Sequence, residues 1–140
     1  MLLQRFHNRR GFDIWITPGG AIERDETALD AARRELAEEV GVRDISLVGP
    51  IWTRRHVFEW NGAHYDQPET FFLGRLHGRV DAAPDLTADA IAAEGILGHR
   101  LWAADEIAAS DVFFAPRRLA ELLRILLNQG PPTEPIDAGV

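Results

Sequence analysis

The sequence predicts an α/β fold built on a mixed sheet. Three observations carry that expectation. Short apolar strand-like segments recur along the chain, with helical segments between them. A helix near Ala28–Val40 has one apolar face and clear signals at both ends. A second helix near the C-terminus carries a stripe of leucines.

Leu2 to Phe6 is short and apolar and predicts a strand, followed by a polar loop through Asn8-Arg9-Arg10-Gly11. Phe12 to Thr17 sets Phe12, Ile14 and Ile16 against Asp13, Trp15 and Thr17, a second strand by period-two alternation. It ends at Pro18-Gly19-Gly20, a tight turn. Thr27 is the expected N-cap of the next helix, with Asp30 three residues on as a weak capping box. Leu29, Ala32, Leu36 and Val40 form its apolar face, and Gly41 is its natural stop.

Val48-Gly49-Pro50 breaks the chain after that helix. Ile51 to Trp60 predicts a long strand, Asn61-Gly62 a hairpin turn, and Glu69 to Leu76 the return strand, its start limited by Pro68. Trp52, Arg54 and His56 share one face of the long strand. They could stack a base or contact a phosphate, but aromatics on strands usually pack. Arg79 to Glu94 is a polar loop with a helical turn near Leu86–Ala93. Ile96 to Trp102 is the closing strand, and Ala103–Ile107 a short helical turn. Pro116 is expected to open the last helix, with Leu119, Leu122, Leu123, Leu126 and Leu127 facing the sheet. Residues 1–130 then form one domain. Residues 131–140, with three prolines and little apolar content, predict a flexible tail.

Composition narrows the function. A chain of 140 residues suits a single domain. The net charge of −7 argues against a nucleic-acid duplex as partner, because no basic excess neutralises phosphates. A single nucleotide is not excluded, since a metal can carry its charge. Without cysteine there are no disulfides and no thiolate zinc sites. No apolar run has the length of a membrane span, and no signal peptide is visible, so a cytoplasmic location is expected.

The helix from Ala28 holds the chemistry. Glu35, Glu38 and Glu39 stand at i, i+3 and i+4. Like charges at that spacing cost about 0.2–0.5 kcal/mol a pair. They also occupy the helix end that favours cations. Arg34 offsets only part of this. A solvated acidic face is the bland explanation. Divalent cations seated among the carboxylates would instead relieve the repulsion.

The surrounding residues favour the second explanation. Gly20, Glu26, Arg34, Glu35, Leu36, Glu38, Glu39, Gly41 and Val42 fill every fixed position of G-x5-E-x7-R-E-U-x-E-E-x-G-U, with U a bulky aliphatic residue. The stretch resembles the Nudix box. The resemblance implies a Nudix-type α/β/α sandwich and Mg²⁺-dependent, or Mn²⁺-dependent, hydrolysis of a nucleoside diphosphate linked to another group. It implies Glu35 and Glu39 as main metal ligands and Glu38 as ligand or helper. Arg34 would orient Glu35, and Gly20 would approach metal and substrate. Glu26 would be an outer ligand or structural partner. Nudix enzymes often draw a further glutamate from the later loop. Glu94 is the candidate, with Asp85 and Asp89 as alternatives, and the general base is either Glu94 or a box glutamate.

Family members usually carry a strand before the one resembling Leu2–Phe6. Its apparent absence here implies either a misassigned start or an unpaired sheet edge, and such an edge predicts a homodimer or a swapped arrangement. The substrate stays open among nucleoside triphosphates, nucleotide sugars and dinucleoside polyphosphates. The proline that marks ADP-ribose hydrolases is absent near Phe58. A non-hydrolytic nucleotide-binding or sensor domain is the rival, disfavoured because the box keeps all its acids.

Overall fold

The computed structural model describes residues 1–7, 11–60, 62–76 and 83–139, with only the backbone of Trp60. Parts of two expected loops, 8–10 and 79–82, and the hairpin residue Asn61 lie outside the described residues.

The first strand, β1 (Leu2–His7), lies inside its sheet. It pairs antiparallel with β2 (Asp13–Ile16) on one side and with β5 (Ile96–Leu101) on the other. The edge expected at this strand is therefore absent, and with it the premise for a dimer through that edge. A three-residue strand, β6 (Phe113–Ala115), completes the order β5-β1-β2-β6, parallel to β2. Sequence reading missed β6, since three residues carry no periodicity.

A second mixed sheet has the order β4-β3-β7. Its body is the hairpin of β3 (Leu47–Trp60) and β4 (Ala63–Gly74). The pair Trp60↔Ala63 leaves the two-residue loop expected of Asn61-Gly62. Two boundaries differ from expectation. Gly49-Pro50 does not break the chain; β3 already starts at Leu47, and the register shifts between Val48 and Trp52. Pro68 does not limit β4 either, and sits opposite Arg55 within it. β4 is an edge strand, where a missing N–H is tolerated.

The box helix begins as expected. Thr27 Oγ1 accepts from the Asp30 N–H at 3.1 Å, but Asp30 returns its carboxylate to the Thr27 hydroxyl rather than to the backbone. Regular α-helix α1 covers Ala28–Glu35, and Leu36–Val40 winds wider, as a π-turn. Gly41, at φ 78°, takes the left-handed conformation that ends it. The short helix α2 (Ala88–Ala93), capped by Thr87, sits close to the expected turn. α3 (Ala104–Ala109) follows β5, its Glu106 carboxylate accepting from the Ala103 N–H at 2.8 Å.

The last helix, α4 (Leu119–Gln129), starts three residues after Pro116, whose carbonyl accepts from the Leu119 N–H. Pro116 closes a turn instead of opening the helix. Leu119, Leu122 and Leu123 are buried, whereas Leu127 is exposed and leaves the stripe. The core joins Leu3 of β1, Ile51 and Trp52 of β3, Trp102, Ile107 of α3, Phe114 of β6 and these leucines.

The flexible tail is a further correction. Ile136–Asp137 forms β7, parallel to β3 at Trp52 and Thr53. Ala138 is fully buried in the core. Polar composition hid a segment held by backbone pairing and by one small side chain.

Candidate active site

The acidic helix face is not solvated. Glu35 is 8 % exposed and Glu39 only 2 %. Both lie against the Pro18-Gly19-Gly20 turn that follows β2. The Gly19 N–H donates to Glu39 Oε2 at 3.0 Å. A Cβ on Gly20 would fall 2.2 Å from Glu35 Oε1, so any other residue there would have to displace the Glu35 carboxylate.

Arg34 ties the outer carboxylates together. Its guanidinium donates to Glu26 Oε1 at 2.8 Å and Oε2 at 3.3 Å, and to Glu35 Oε1 at 2.8 Å. It also donates to Glu38 Oε2 at 3.0 Å and to the Ala21 carbonyl at 2.9 Å. Glu26 accepts in addition from the Glu23 N–H at 2.7 Å, which makes it a structural partner of Arg34. These bonds, Glu26 first, raise the Arg34 pKa and lower that of Glu26. Glu38 spends one oxygen on Arg34 and is half-buried.

Among the described residues Glu39 has no cation partner. Its carboxylate accepts from the Gly19 N–H, and the nearby Gln4 side chain also favours its charged form. Burial, reinforced by the charges of Glu35 and Glu94, pushes its pKa up to about 7. Burial also raises the Glu35 pKa, against the pull of Arg34. Glu94, at the C-terminal end of α2, adds a smaller through-space push to both.

The π-turn explains how α2 comes to this place. The Ala37 and Glu38 carbonyls accept from the Asp85 and Leu86 N–H groups at 3.0 and 3.1 Å. The loop before α2 is thus tied to the end of the box helix. Asp85 itself is occupied by an ion pair with Arg43, and Asp89 is exposed in the first turn of α2. Of the three loop acids, the electrostatic influence on Glu35 and Glu39 singles out Glu94.

The face of β3 separates its three named residues. Trp52 is 2 % exposed and packs against Phe71 in the core. Arg54 is held bidentate by Glu69, both bonds at 2.8 Å. His56 is half-exposed, with Nδ1 3.5 Å from Glu69. A cavity of about 730 Å³ between α1 and the β3–β4 hairpin reaches Arg54 and Glu69. It meets the acids only at the Gly19–Gly20 turn, so it can house the body of a substrate whose reacting end lies beyond that turn.

Sequence reasoning missed Gln4 and His99. Gln4, in the middle of β1, is 1 % exposed and bonds Glu39. His99 lies directly opposite on β5 and shares that sheet face. His99 is exposed to solvent, and partial desolvation lowers its pKa. A lone glutamine and a lone histidine on short strands carry no local signal.

Among the described residues no three acidic or imidazole side chains enclose a cation by themselves. Glu35, Glu38 and Glu39 offer oxygen donors only, which suits a hard divalent cation, and among the described residues Glu39 is a buried carboxylate without a counter-ion.

Comparison with known proteins settles the family. The family profile described as NUDIX domain matches residues 1–123. The chain belongs to the Nudix family. Among its relatives is the MutT4 protein of Mycobacterium tuberculosis, 34% identical over 134 residues, 91% of this chain and 50% of that protein. An RNA pyrophosphohydrolase of Mesorhizobium japonicum is 34% identical over 73 residues, 46% of this chain and 42% of that protein. An m7GpppN-mRNA hydrolase of Danio rerio is 46% identical over 43 residues, 30% of this chain and 14% of that protein. The chain thus spans half or less of the length of these curated relatives. No helix among the described residues is long and apolar enough to cross a membrane.

Proposed function

We propose that this Nudix domain is a divalent-metal-dependent pyrophosphohydrolase. It would cleave the P–O–P linkage of a nucleoside diphosphate joined to another group. One observation carries the reading: the buried Glu39, paired among the described residues with N–H donors and no cation, stands beside Glu35 and within the field of Glu94.

Glu35 and Glu39 would hold Mg²⁺ or Mn²⁺, with Glu38 as helper. When bound, such an ion supplies charge that offsets the developing negative charge on phosphate oxygens. Arg34 fixes Glu35 through its 2.8 Å bond, and Gly20 leaves room for the phosphate chain to approach. Glu94, exposed at the end of α2, is the candidate to take the proton of the attacking water. Oxygen of that water bonds to phosphorus, and the bridging oxygen leaves with the departing phosphate. Arg54 and the cavity floor would seat the nucleoside. Soluble nucleotides of this class agree with a cytoplasmic role.

A second reading places the scissile linkage at the 5′-polyphosphate end of RNA. It is favoured by the relatives named RNA pyrophosphohydrolase. With a net charge of −7 the contact would be confined to the end of the strand, not to a duplex.

The test is a panel of nucleoside triphosphates, nucleotide sugars, dinucleoside polyphosphates and 5′-triphosphorylated RNA. Mg²⁺-dependent release of phosphate, pyrophosphate or mononucleotide from at least one is expected. Nucleotide binding with every compound left intact would replace this reading by the sensor domain.

A further inference from the structure

We infer that the side-chain oxygen of Gln4 accepts a hydrogen bond from water on the divalent ion held at Glu35 and Glu39. The inference rests on the metal-dependent reading above and adds a residue outside the Nudix box to it.

Gln4 occupies the centre of β1, flanked by Ile16 and His99 on the neighbouring strands. It is 1 % exposed, and its neighbour Leu3 is fully buried. An apolar residue is the simple choice for such a position. The amide explains half of itself: its N–H side meets the Glu39 carboxylate. The other half is unexplained, because Oε1 is buried without a hydrogen-bond partner among the described residues. The other such side-chain atom there is Trp102 Nε1, and that ring lies among core aromatics, in edge contact with Trp15 and Phe114.

A half-satisfied buried amide is worse for stability than an apolar side chain. Its retention points to a donor that comes from outside the protein. Oxygen and nitrogen of one amide share a carbon, so the oxygen cannot lie far from the carboxylate that the nitrogen touches. Turning the amide over would set its oxygen against an ionised Glu39, the poorer arrangement. Mg²⁺ and Mn²⁺ keep bound waters, and each such water has protons to donate. Outer partners of this kind typically change metal affinity by about 10- to 100-fold when removed.

The experiment is calorimetric titration of the full chain with Mn²⁺ at pH 8, without substrate, for wild type, Gln4→Met and Gln4→Leu. Melting temperatures of the three metal-free proteins are measured alongside. Mn²⁺ affinity should fall at least about tenfold in whichever variants fold, whatever happens to the metal-free Tm. A residue with a purely structural role would instead leave Mn²⁺ binding within twofold of wild type. Binding within twofold overturns the inference whatever the Tm does. If wild type itself takes up no Mn²⁺, the metal-dependent reading fails and this inference fails with it.

Discussion

Glu39 sets burial against charge. Its folded-state pKa of about 7 lies above the ordinary value of 4.5. Between those values the unfolded chain releases a proton that the folded chain keeps. Stability therefore falls as pH rises from about 4.5 to 7 and stays lower above that. Glu39→Gln should remove this loss. In chelator, thermal melts of variant and wild type should agree near pH 4, and the variant should be the more stable at pH 8. The gain is at most on the order of 3 kcal/mol. The same variant should lose at least about 100-fold in Mg²⁺-dependent turnover, read on any substrate from the panel. Gly20→Ala tests the other side of the contact. The added methyl would collide with Glu35 Oε1, which Arg34 and burial hold in place. Turnover and Mn²⁺ affinity should both drop by about tenfold or more. The residues of the box were legible because their spacing is fixed by one helix and one turn. Gln4 was not, because its meaning arises only when β1 is laid beside that helix.

The π-turn is the element that joins box and loop. There the Asp85 and Leu86 amides donate to the Ala37 and Glu38 carbonyls, the Ala37 carbonyl also accepting from the Gly41 N–H. Arg43 braces the same loop through Asp85 and the Ala83 carbonyl. Arg43→Ala removes an exposed ion pair, so its effect on global stability should stay within about 1 kcal/mol. Locally the effect should be larger: hydrogen exchange at the Asp85 and Leu86 amides should accelerate well beyond that at Ala31. The helix start, the glycine stop and the hairpin were legible in advance, since capping and turn chemistry act over a few residues. The widened last turn was not. Nothing in Leu36–Val40 itself requires it, and its carbonyls are satisfied by a loop some fifty positions away in the chain.

At the scale of the whole molecule, β6 and β7 are short strands whose existence depends on distant partners. That is why the sequence showed neither, and why proline content made 131–140 look free. Deleting residues 131–140 removes the pairing with Trp52 and Thr53 and opens the core at Ala138. The truncated protein should lose on the order of 1–3 kcal/mol. A lower Tm and a red-shifted tryptophan emission, from wetting of Trp52, would report it. An unchanged Tm would mean that this strand contributes nothing to the core.

The parallel seam between β7 and β3 also bears on biogenesis. A ribosome delivers the nascent polypeptide from its amino end, so the hairpin emerges with one flank bare. At Trp52 and Thr53 that flank stays available for mispairing until residues 136–138 clear the exit. Pairing there therefore completes only once those residues are free.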